Sequence, residues 1–336
     1  MSKEKVVLIT GGAGFICTNI AEVLMDEGYK VVLMSRSDMH PDDWAEISAK
    51  GEIVMVKGDV TQEEEIYNAV IEHGINYLVH GAALTPDLEY ERMYAKSVAE
   101  VNYMGTINAL EVARKTGIKR LVYLGSISAF GPQQEKLKTL IEGETFADPR
   151  TMYNISKFAA ERTVMHYRDL FGMSCVVARI GDAYGPWEHY TGGRPRMSFN
   201  FQTTALAMEG KEVILPMDVE RNWIYSVDIA KAVAGLLSAK VLNYDIYPLC
   251  GKNPQWPISK WCELIRKRYL NFNYSIDRTK NNVVAMFVDK VDRYAHMDPT
   301  RLIEDGIYVP QYDLEKSFDA YMAWIDAHPG YMTRNN

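Results

Sequence analysis

The chain has 336 residues, 47% of them hydrophobic, and a formal net charge of −7. It is long enough for one large domain or two modest ones, and an acidic balance without a long basic run argues against nucleic-acid binding. The four cysteines are scattered without a C-x-x-C pair, so we expect no disulfide framework and no metal site. We also expect no leader sequence and no membrane-spanning run, which predicts a cytoplasmic protein without a membrane partner.

Short apolar runs alternate with helical patterns through the first half of the chain. The predicted strands are Val6–Thr10, Lys30–Met34, Ile53–Val56, Tyr77–His80, Arg120–Gly125 and Ser174–Arg179. The predicted helices between them are Phe15–Glu27, Glu63–His73, Val98–Thr116 and Thr151–Phe171. This alternation is typical of α/β proteins, so we predict a Rossmann-like, doubly wound parallel sheet with its ligands beyond the carboxyl ends of the strands.

The pattern changes after about residue 185, where glycine, proline and arginine become frequent before one more apolar run, Tyr244–Leu249. We therefore predict two interleaved domains. Residues 1–183 and about 222–248 would form a dinucleotide-binding domain. About 184–221 and 249–336 would form a smaller, C-terminal substrate-binding domain.

The first predicted strand runs directly into a glycine turn, Gly11–Gly12–Ala13–Gly14, and a helical pattern follows. Strand, turn and helix start together direct free backbone N–H groups and a helix dipole at one point, which suits the pyrophosphate of a dinucleotide. Gly11 allows the sharp turn, and Gly14 lets a phosphate approach the backbone. The third glycine of the motif would fall at Cys17, which we expect to pack in the interior and not to act in redox chemistry.

Tyr153 and Lys157 form a Y-x-x-x-K pattern, which places both side chains on one face of a helix. A nearby ammonium favours a phenolate, so we expect Lys157 to lower the pKa of Tyr153, which then moves a proton to or from a substrate hydroxyl during hydride transfer. Ser126 follows the fifth predicted strand and is placed to donate to the developing oxyanion. A second copy of the pattern, Tyr312 and Lys316, is interpreted as a coincidence.

Taken together, these motifs resemble those of the extended short-chain dehydrogenases/reductases, the group that includes NAD-dependent sugar epimerases and dehydratases. The matching segments follow the family order over most of the chain and are Thr10–Ile16, Gly58–Val60, His80–Ala83, Val101–Asn102 with Gly105–Thr106, Ser126 with Phe130–Gly131, Tyr153 with Lys157, Tyr184–Pro186, Arg221–Trp223 and Asp228–Ala230. The resemblance implies that Ser126, Tyr153 and Lys157 are the catalytic triad. It implies cofactor contacts from Gly11, Gly14, Phe15, Ile16, Asp59, Val60, Gly81, Ala82, Ala83, Asn102 and Lys157.

The end of the second predicted strand addresses the choice of cofactor. A carboxylate there would bind the ribose diol of NAD, but the chain has Ser35 and Arg36. Arginine pairs well with a 2′-phosphate, so NADP is favoured over NAD. Asp38 leaves NAD open if the strand ends later.

Departures from the family pattern narrow the reaction. Ile127 and Ser128 stand where sugar-nucleotide 4,6-dehydratases carry an acidic pair, which argues against dehydration, and Ser128 replaces the cysteine of some double epimerases. The favoured function is a net NAD(P)-dependent oxidoreductase acting on a secondary alcohol or ketone of a sugar-like or hydroxy-acid substrate. The alternatives are a sugar epimerase with retained cofactor and, more remotely, a non-catalytic NAD(P)-sensing protein.

The substrate is expected to be small and polar, with an anionic group. Asp182 stands where many epimerases have an asparagine against the substrate diphosphate, so a cation must intervene, and Arg194, Arg196 and Arg221 are the candidates. The expected substrate contacts are Thr85, Ser128, Asp182, Arg194, Arg196 and Arg221. The resemblance also implies a homodimer through the helices near 98–116 and 151–171.

Overall fold

The computed structural model describes residues 4–191, 194–284 and 290–334. Its strands are β1 (Val6–Thr10), β2 (Lys30–Ser35), β3 (Ile53–Lys57), β4 (Tyr77–His80), β5 (Arg120–Ser126), β6 (Thr139–Leu140), β7 (Cys175–Ile180), β8 (Asp182–Tyr184), β9 (Val213–Leu215), β10 (Trp223–Tyr225), β11 (Ile246–Leu249), β12 (Tyr274–Ile276) and β13 (His296–Met297). Its α-helices are α1 (Phe15–Asp26), α2 (Pro41–Ser48), α3 (Glu63–Glu72), α4 (Leu88–Ala99), α5 (Gly105–Thr116), α6 (Gln133–Lys136), α7 (Met152–Phe171), α8 (Phe199–Met208), α9 (Ser226–Ser238), α10 (Ile258–Arg268), α11 (Thr300–Glu304) and α12 (Leu314–Ala327).

Seven of the described strands form one sheet in the order β11-β7-β5-β4-β1-β2-β3. Every neighbouring pair in it is parallel. Strand order reverses on either side of β1, which is the switch point where doubly wound sheets bind ligands. The predicted fold class is confirmed. The bounds of the six predicted strands lie within two residues of those observed, and the apolar run Tyr244–Leu249 contains the seventh strand, β11.

The sheet is buried on both faces. All five residues of β1 are buried, as a parallel sheet covered by helices requires. Val7 and Ile9 belong to the apolar cluster on one face, and Val6 and Leu8 belong to the cluster on the other. The alternation follows from the two-residue period of a strand, and it leaves the carboxyl edge of the sheet as the place for polar groups.

A third apolar cluster is made largely of aromatic residues from the later half of the chain. Its members include Trp187, Trp223, Trp261 and Tyr321, and it contacts the first half through Phe15 of α1. The edge strand β11 returns to the central sheet beside β7. These facts agree with an interleaved arrangement, and the division at residues 184, 222 and 249 stays a prediction.

The predicted helix Val98–Thr116 differs from the structure. The helix begins earlier, at α4, where the Asp87 carboxylate accepts a hydrogen bond from the Tyr90 N–H at 2.9 Å as its N-cap. A π-helical turn, Glu100–Met104, then separates α4 from α5. A π turn adds a residue and shifts the phase of the side chains, which the 3.6-residue period does not reveal. In the described residues no helix has both the length and the apolar content to cross a bilayer.

Candidate active site

The glycine turn after β1 is shaped by close backbone contacts. Gly11 has a φ of +73°, and a Cβ there would lie 2.8 Å from the Cα of Ala82. The Gly14 N–H donates to the Gly11 carbonyl at 2.9 Å, and α1 begins at the next residue without a side-chain cap. The first N–H groups of α1 are therefore available to a ligand at the positive end of the helix dipole.

Cys17 stands where the third glycine of the motif would fall, and its side chain is buried. Its thiol donates to the Thr10 carbonyl at 3.6 Å, and a Cβ at Gly81 would lie only 2.5 Å from the Cys17 Sγ. Burial raises the pKa of Cys17 to about 12, which keeps the thiol protonated. Cys17 packs as expected, against a glycine that has no side chain.

Two clefts meet over the glycine turn. The first has a volume of about 560 Å³ and follows the ends of β2 and β3, and we call it the adenosine groove. The second has a volume of about 650 Å³ and lies beyond β5 and β7, and we call it the substrate cleft. Both are lined by Gly11, Gly14, Ala83, His189 and Thr191. One extended ligand can therefore run from one cleft into the other across the turn.

The predicted site residues divide between the two clefts. The adenosine groove is lined by Gly11, Gly14, Ser35, Arg36, Asp59, Val60, Ala82 and Ala83. The substrate cleft is lined by Gly11, Gly14, Phe15, Ile16, Gly81, Ala83, Thr85, Ser126, Ser128, Tyr153, Lys157, Asp182, Arg194, Arg196 and Arg221. Asn102 lines neither cleft.

Asn102 acts instead on the loop between the clefts. It lies in the π turn and is buried, and its amide bonds both the N–H and the carbonyl of Leu84 at 2.8 and 2.9 Å. Its amide nitrogen also donates to the Ser156 hydroxyl at 3.3 Å. The amide thus holds the loop that carries Ala83 and Thr85, and the expected cofactor contact from this side chain stays a prediction.

Tyr153 is the second residue of α7, whose N-cap Thr151 accepts from the Asn154 N–H at 3.2 Å. Burial raises the pKa of Tyr153 above its ordinary value, and the hydrogen bond with Ser126, the charge of Arg194 and the hydrogen bond with Thr85 lower it in part. The phenol is therefore neutral and ready to donate a proton. Ser126 also accepts from the Ser128 N–H at 3.2 Å, so the hydroxyl both caps a 3₁₀ turn and borders the cleft.

Lys157 follows Tyr153 by one helical turn, and both residues line the substrate cleft. Its ammonium donates to the Leu124 carbonyl at 2.6 Å and lies 4.6 Å from the centre of the Tyr123 ring. Burial lowers the pKa of Lys157 to about 8, and the charge of Glu161 raises it. Besides burial, the groups that shift the pKa of Tyr153 are Ser126, Arg194, Thr85 and Glu161, and the expected effect of Lys157 on this phenol stays a prediction.

A buried group of charges below the triad was not predicted. Glu161, one turn beyond Lys157 on α7, accepts from the Ser126 N–H at 3.2 Å and pairs with Arg179 of β7. Arg179 also pairs with Glu142 at 2.6 Å. Burial raises the pKa of Glu142 to about 7, which the charge of Arg179 partly offsets. The sequence carries one signal that could have indicated this group, which is the position of Glu161 four residues after Lys157.

At the end of β2, Arg36 lies 3.7 Å from the carboxylate of Asp59, and its side chain remains more than half exposed. Asp38 pairs with Lys57 at 2.8 Å. The strand ends at Ser35, so Asp38 lies three residues beyond it. The groove therefore presents a guanidinium and the Ser35 hydroxyl at the place where a ribose-binding carboxylate would stand.

Asp182 lies beside a cation, as we expected for a carboxylate at a position that faces a substrate diphosphate in many epimerases. The Arg221 guanidinium lies 3.4 Å from one oxygen of Asp182, and the Asn222 N–H donates to the other at 3.2 Å. Arg221 also lies 4.6 Å from the centre of the Tyr294 ring. Of the three candidate arginines, Arg221 is the one that contacts Asp182.

The other two candidate arginines, Arg194 and Arg196, form ion pairs with other carboxylates. Arg194 pairs with the fully buried Glu188 at 2.7 Å and lies over the Phe15 ring, so it stabilises the loop as well as bordering the cleft. Arg196 lies 3.6 Å from the Asp87 carboxylate and is partly exposed. Ser128 borders the cleft, and its buried hydroxyl has no hydrogen-bond partner among the described residues.

Comparison with known proteins identifies the family of this chain. The model of the NAD-dependent epimerase/dehydratase family matches residues 7–250. The UDP-glucuronate 4-epimerase of Thermodesulfobacterium geofontis (strain OPF15) is 27% identical over 319 residues, which cover 89% of this chain and 93% of that protein.

Two solved structures share the fold. An epimerase from Methanothermobacter thermautotrophicus superposes with a TM-score of 0.82 at 19% identity, covering 98% of this chain and 94% of that one. UDP-glucuronic acid 4-epimerase from Bacillus cereus in complex with NAD superposes with a TM-score of 0.76 at 18% identity, covering 96% and 99%.

The fold and the site define an enzyme of the extended short-chain dehydrogenase/reductase type. The chain belongs to the NAD-dependent epimerase/dehydratase family, so the resemblance drawn from its motifs is confirmed.

The contact between Cys17 and Gly81 predicts a specific coupling. Gly81→Ala forces a methyl group against the Cys17 Sγ and the Leu124 side chain, and we expect it to destabilise the protein by about 1–3 kcal/mol. Cys17→Ala relieves part of that clash, so the double variant should be more stable than the sum of the single effects by about 0.5 kcal/mol or more. Urea unfolding of the four proteins measures this.

The buried but distant Cys262 supplies the control for this cycle. Cys262→Ala should show no coupling with Gly81→Ala. Strict additivity of Gly81→Ala and Cys17→Ala would contradict the packing described for the glycine turn.

Proposed function

We propose that this enzyme is an NAD(P)-dependent epimerase of a nucleotide sugar, which oxidises and re-reduces one secondary carbon while the cofactor stays bound. The observation that carries the proposal is the meeting of Ser126 and Tyr153 with the glycine turn in one continuous pair of clefts. The 4-epimerase named among its relatives covers nearly the whole chain, which supports epimerisation over net oxidation.

The charges of the substrate cleft support an anionic substrate. The cations that line it outnumber the acids and are Arg150, Lys157, Arg194, Arg196, Arg221 and Lys290, against Glu135 and Asp182. A nucleoside diphosphate carries charges of the sign and spacing that such a lining attracts. The relatives named as acting on UDP-glucuronate agree with this class of substrate.

The protonation of Tyr153 defines its part in the reaction. The neutral phenol donates a proton to the substrate oxygen in the reducing half, and it must accept one in the oxidising half. Every unit by which its pKa exceeds the working pH adds about 1.4 kcal/mol to that second step. The nicotinamide cofactor would accept and return the hydride. Its oxidised ring would carry a positive charge, which favours the deprotonated form of a nearby phenol. Ser126 and Thr85 lower the pKa of the same phenol in part and line the cleft with it, which suits a proton transfer at this point.

The second candidate is the net oxidoreductase, and the end of β2 favours it. Arg36 and Ser35 suit the 2′-phosphate of NADP, a cofactor typical of net reductions, while the Bacillus cereus relative is in complex with NAD. We therefore retain NADP as the proposed preference, with NAD as the alternative. The acidic pair expected for dehydration is replaced by Ile127 and Ser128, which argues against a dehydratase.

A homodimer is also proposed. Large apolar side chains are exposed on the helices expected to form the interface, with Met104 at 45% and Ile155 at 42% exposed. Burial of such side chains against a second copy would be favourable.

A substrate panel tests the reaction. We expect purified enzyme to convert UDP-glucuronate into its C4 epimer, detected by chromatography, without net change in the absorbance of the reduced cofactor, because the hydride returns to the same carbon. UDP-glucose, which lacks the sugar carboxylate, serves as the matched substrate. Stoichiometric formation of reduced cofactor with no epimer would assign the enzyme to net oxidation instead.

Tyr153→Phe tests the acid/base assignment. The variant keeps the ring and loses the transferable proton, so we expect turnover to fall by roughly 10²–10⁴-fold while cofactor binding is unchanged. Tyr312→Phe is the matched control, because Tyr312 belongs to the second Y-x-x-x-K copy and lines neither cleft. Near-normal turnover of Tyr153→Phe would remove this residue from the mechanism.

Arg36→Ala tests the cofactor preference. Loss of the guanidinium should weaken NADP binding by about tenfold or more, which is about 1.4 kcal/mol, and should change NAD binding little. Dissociation constants from calorimetry check this, with the exposed Arg266→Ala as control. An equal effect on both cofactors would contradict the role given to Arg36.

A further inference from the structure

We propose that the C-terminal turn, residues 331–334, is part of the cofactor site and limits how fast the cofactor leaves it. The proposal rests on the proposed function only in that the adenosine groove holds a pyridine dinucleotide. Tyr331, Met332 and Arg334 line that groove together with the residues that follow β2. No motif in the sequence assigns these three residues to a cofactor.

The turn is held against the cofactor-binding half by ionic contacts at α2. The Arg334 guanidinium pairs with Asp43, lies 3.7 Å from Asp42 and covers the Tyr331 ring at 5.0 Å. Asp42 and Asp43 lie in the first turn of α2, only a few residues beyond Arg36. The contact therefore fixes the end of the chain beside the expected position of the adenosine ribose.

A second attachment is aromatic. Trp187 is fully buried and contacts the rings of Trp324, His328 and Tyr331 edge to face, with centroids 5.4–6.0 Å apart. His328 in turn bonds the Glu46 carboxylate of α2 at 2.7 Å. These contacts join the last helix of the chain to the wall of the groove.

Trp187 itself adopts an unfavourable backbone conformation. Its φ is +65°, in the left-handed region that bulky residues avoid. Its indole N–H donates to Glu22 of α1 at 2.8 Å, and the ring borders the adenosine groove. Strain of this kind persists only where surrounding contacts over-determine it, and it concentrates at ligand sites. The strained tryptophan and the C-terminal turn thus form one wall of the groove.

Such a wall has a direct kinetic consequence. A cofactor bound between the end of β2 and the turn leaves only when the contacts of one side loosen, so their strength sets the release rate. An epimerase that returns its hydride to the same substrate gains from slow release. The Arg334–Asp43 pair is the contact that a single substitution breaks with least disturbance, since Arg334 is a quarter exposed.

The test is the rate at which bound NADH and NADPH leave the full-length enzyme. Release is followed by the loss of energy transfer from protein tryptophan to the reduced cofactor after mixing with excess NAD or NADP. We expect Arg334→Ala to release both cofactors about tenfold faster than the unchanged enzyme. Arg334→Lys keeps the positive charge but cannot contact Asp42 and Asp43 with two separate nitrogens, so we expect an intermediate release rate.

Arg268→Ala is the matched control, because Arg268 also pairs with an aspartate of the last helix, Asp326, but lines neither cleft. Thermal unfolding of each variant verifies that it is folded. Release rates of Arg334→Ala within twofold of the unchanged enzyme would overturn the proposal, and so would acceleration confined to NADPH, which would assign Arg334 to the 2′-phosphate alone. Failure of the unchanged enzyme to bind either cofactor would overturn the proposed function itself.

Discussion

The close approach of two backbones at the carboxyl edge of the sheet is the constraint on which the rest of the site depends. The Thr10 hydroxyl at the end of β1 accepts from the Gly81 N–H at 3.2 Å and bonds the His80 ring at 2.8 Å. Burial, with Lys157 nearby, lowers the pKa of His80 to about 3, so the ring stays neutral. Because the two strand ends are tied this tightly, Gly11 has no room for a side chain, and the turn offers its N–H groups to a ligand.

Electrostatics around the triad follow from how deeply α7 packs on the sheet. Lys157 and Glu161 enter the interior one turn apart, and Arg179 from β7 meets Glu161 there. Charges buried in this way are tolerated only when paired and hydrogen-bonded. The Glu161 carboxylate makes three interactions. It pairs with Arg179, favours the charged form of Lys157 and accepts a hydrogen bond from the Ser126 N–H. The triad is therefore positioned by a carboxylate that does not reach the substrate cleft.

The sequence was a good guide wherever chemistry depends on local spacing. The run from β1 into the glycine turn predicted the strand, the turn and the start of α1, because each is defined by neighbouring residues. The four-residue spacing of Tyr153 and Lys157 likewise predicted two residues on one helix, and both line the substrate cleft. The direction of the Lys157 side chain was not predictable, because it depends on the Leu124 carbonyl more than thirty residues away. The bonds of the Asn102 amide to Leu84 were not predictable either, because they depend on a π turn, which leaves no trace in the 3.6-residue pattern.

The segment after β8 links the two halves of the site. Trp187 borders the adenosine groove, while the adjacent Glu188 is buried on the other side, where it holds Arg194 and accepts from the Ser198 hydroxyl at 2.7 Å. Ser198 is the N-cap of α8, whose first residue borders the substrate cleft. One short piece of backbone thus fixes a wall of each cleft. Hydride transfer needs the cofactor and the substrate carbon within contact distance, so a segment that borders both clefts helps to set their relative position.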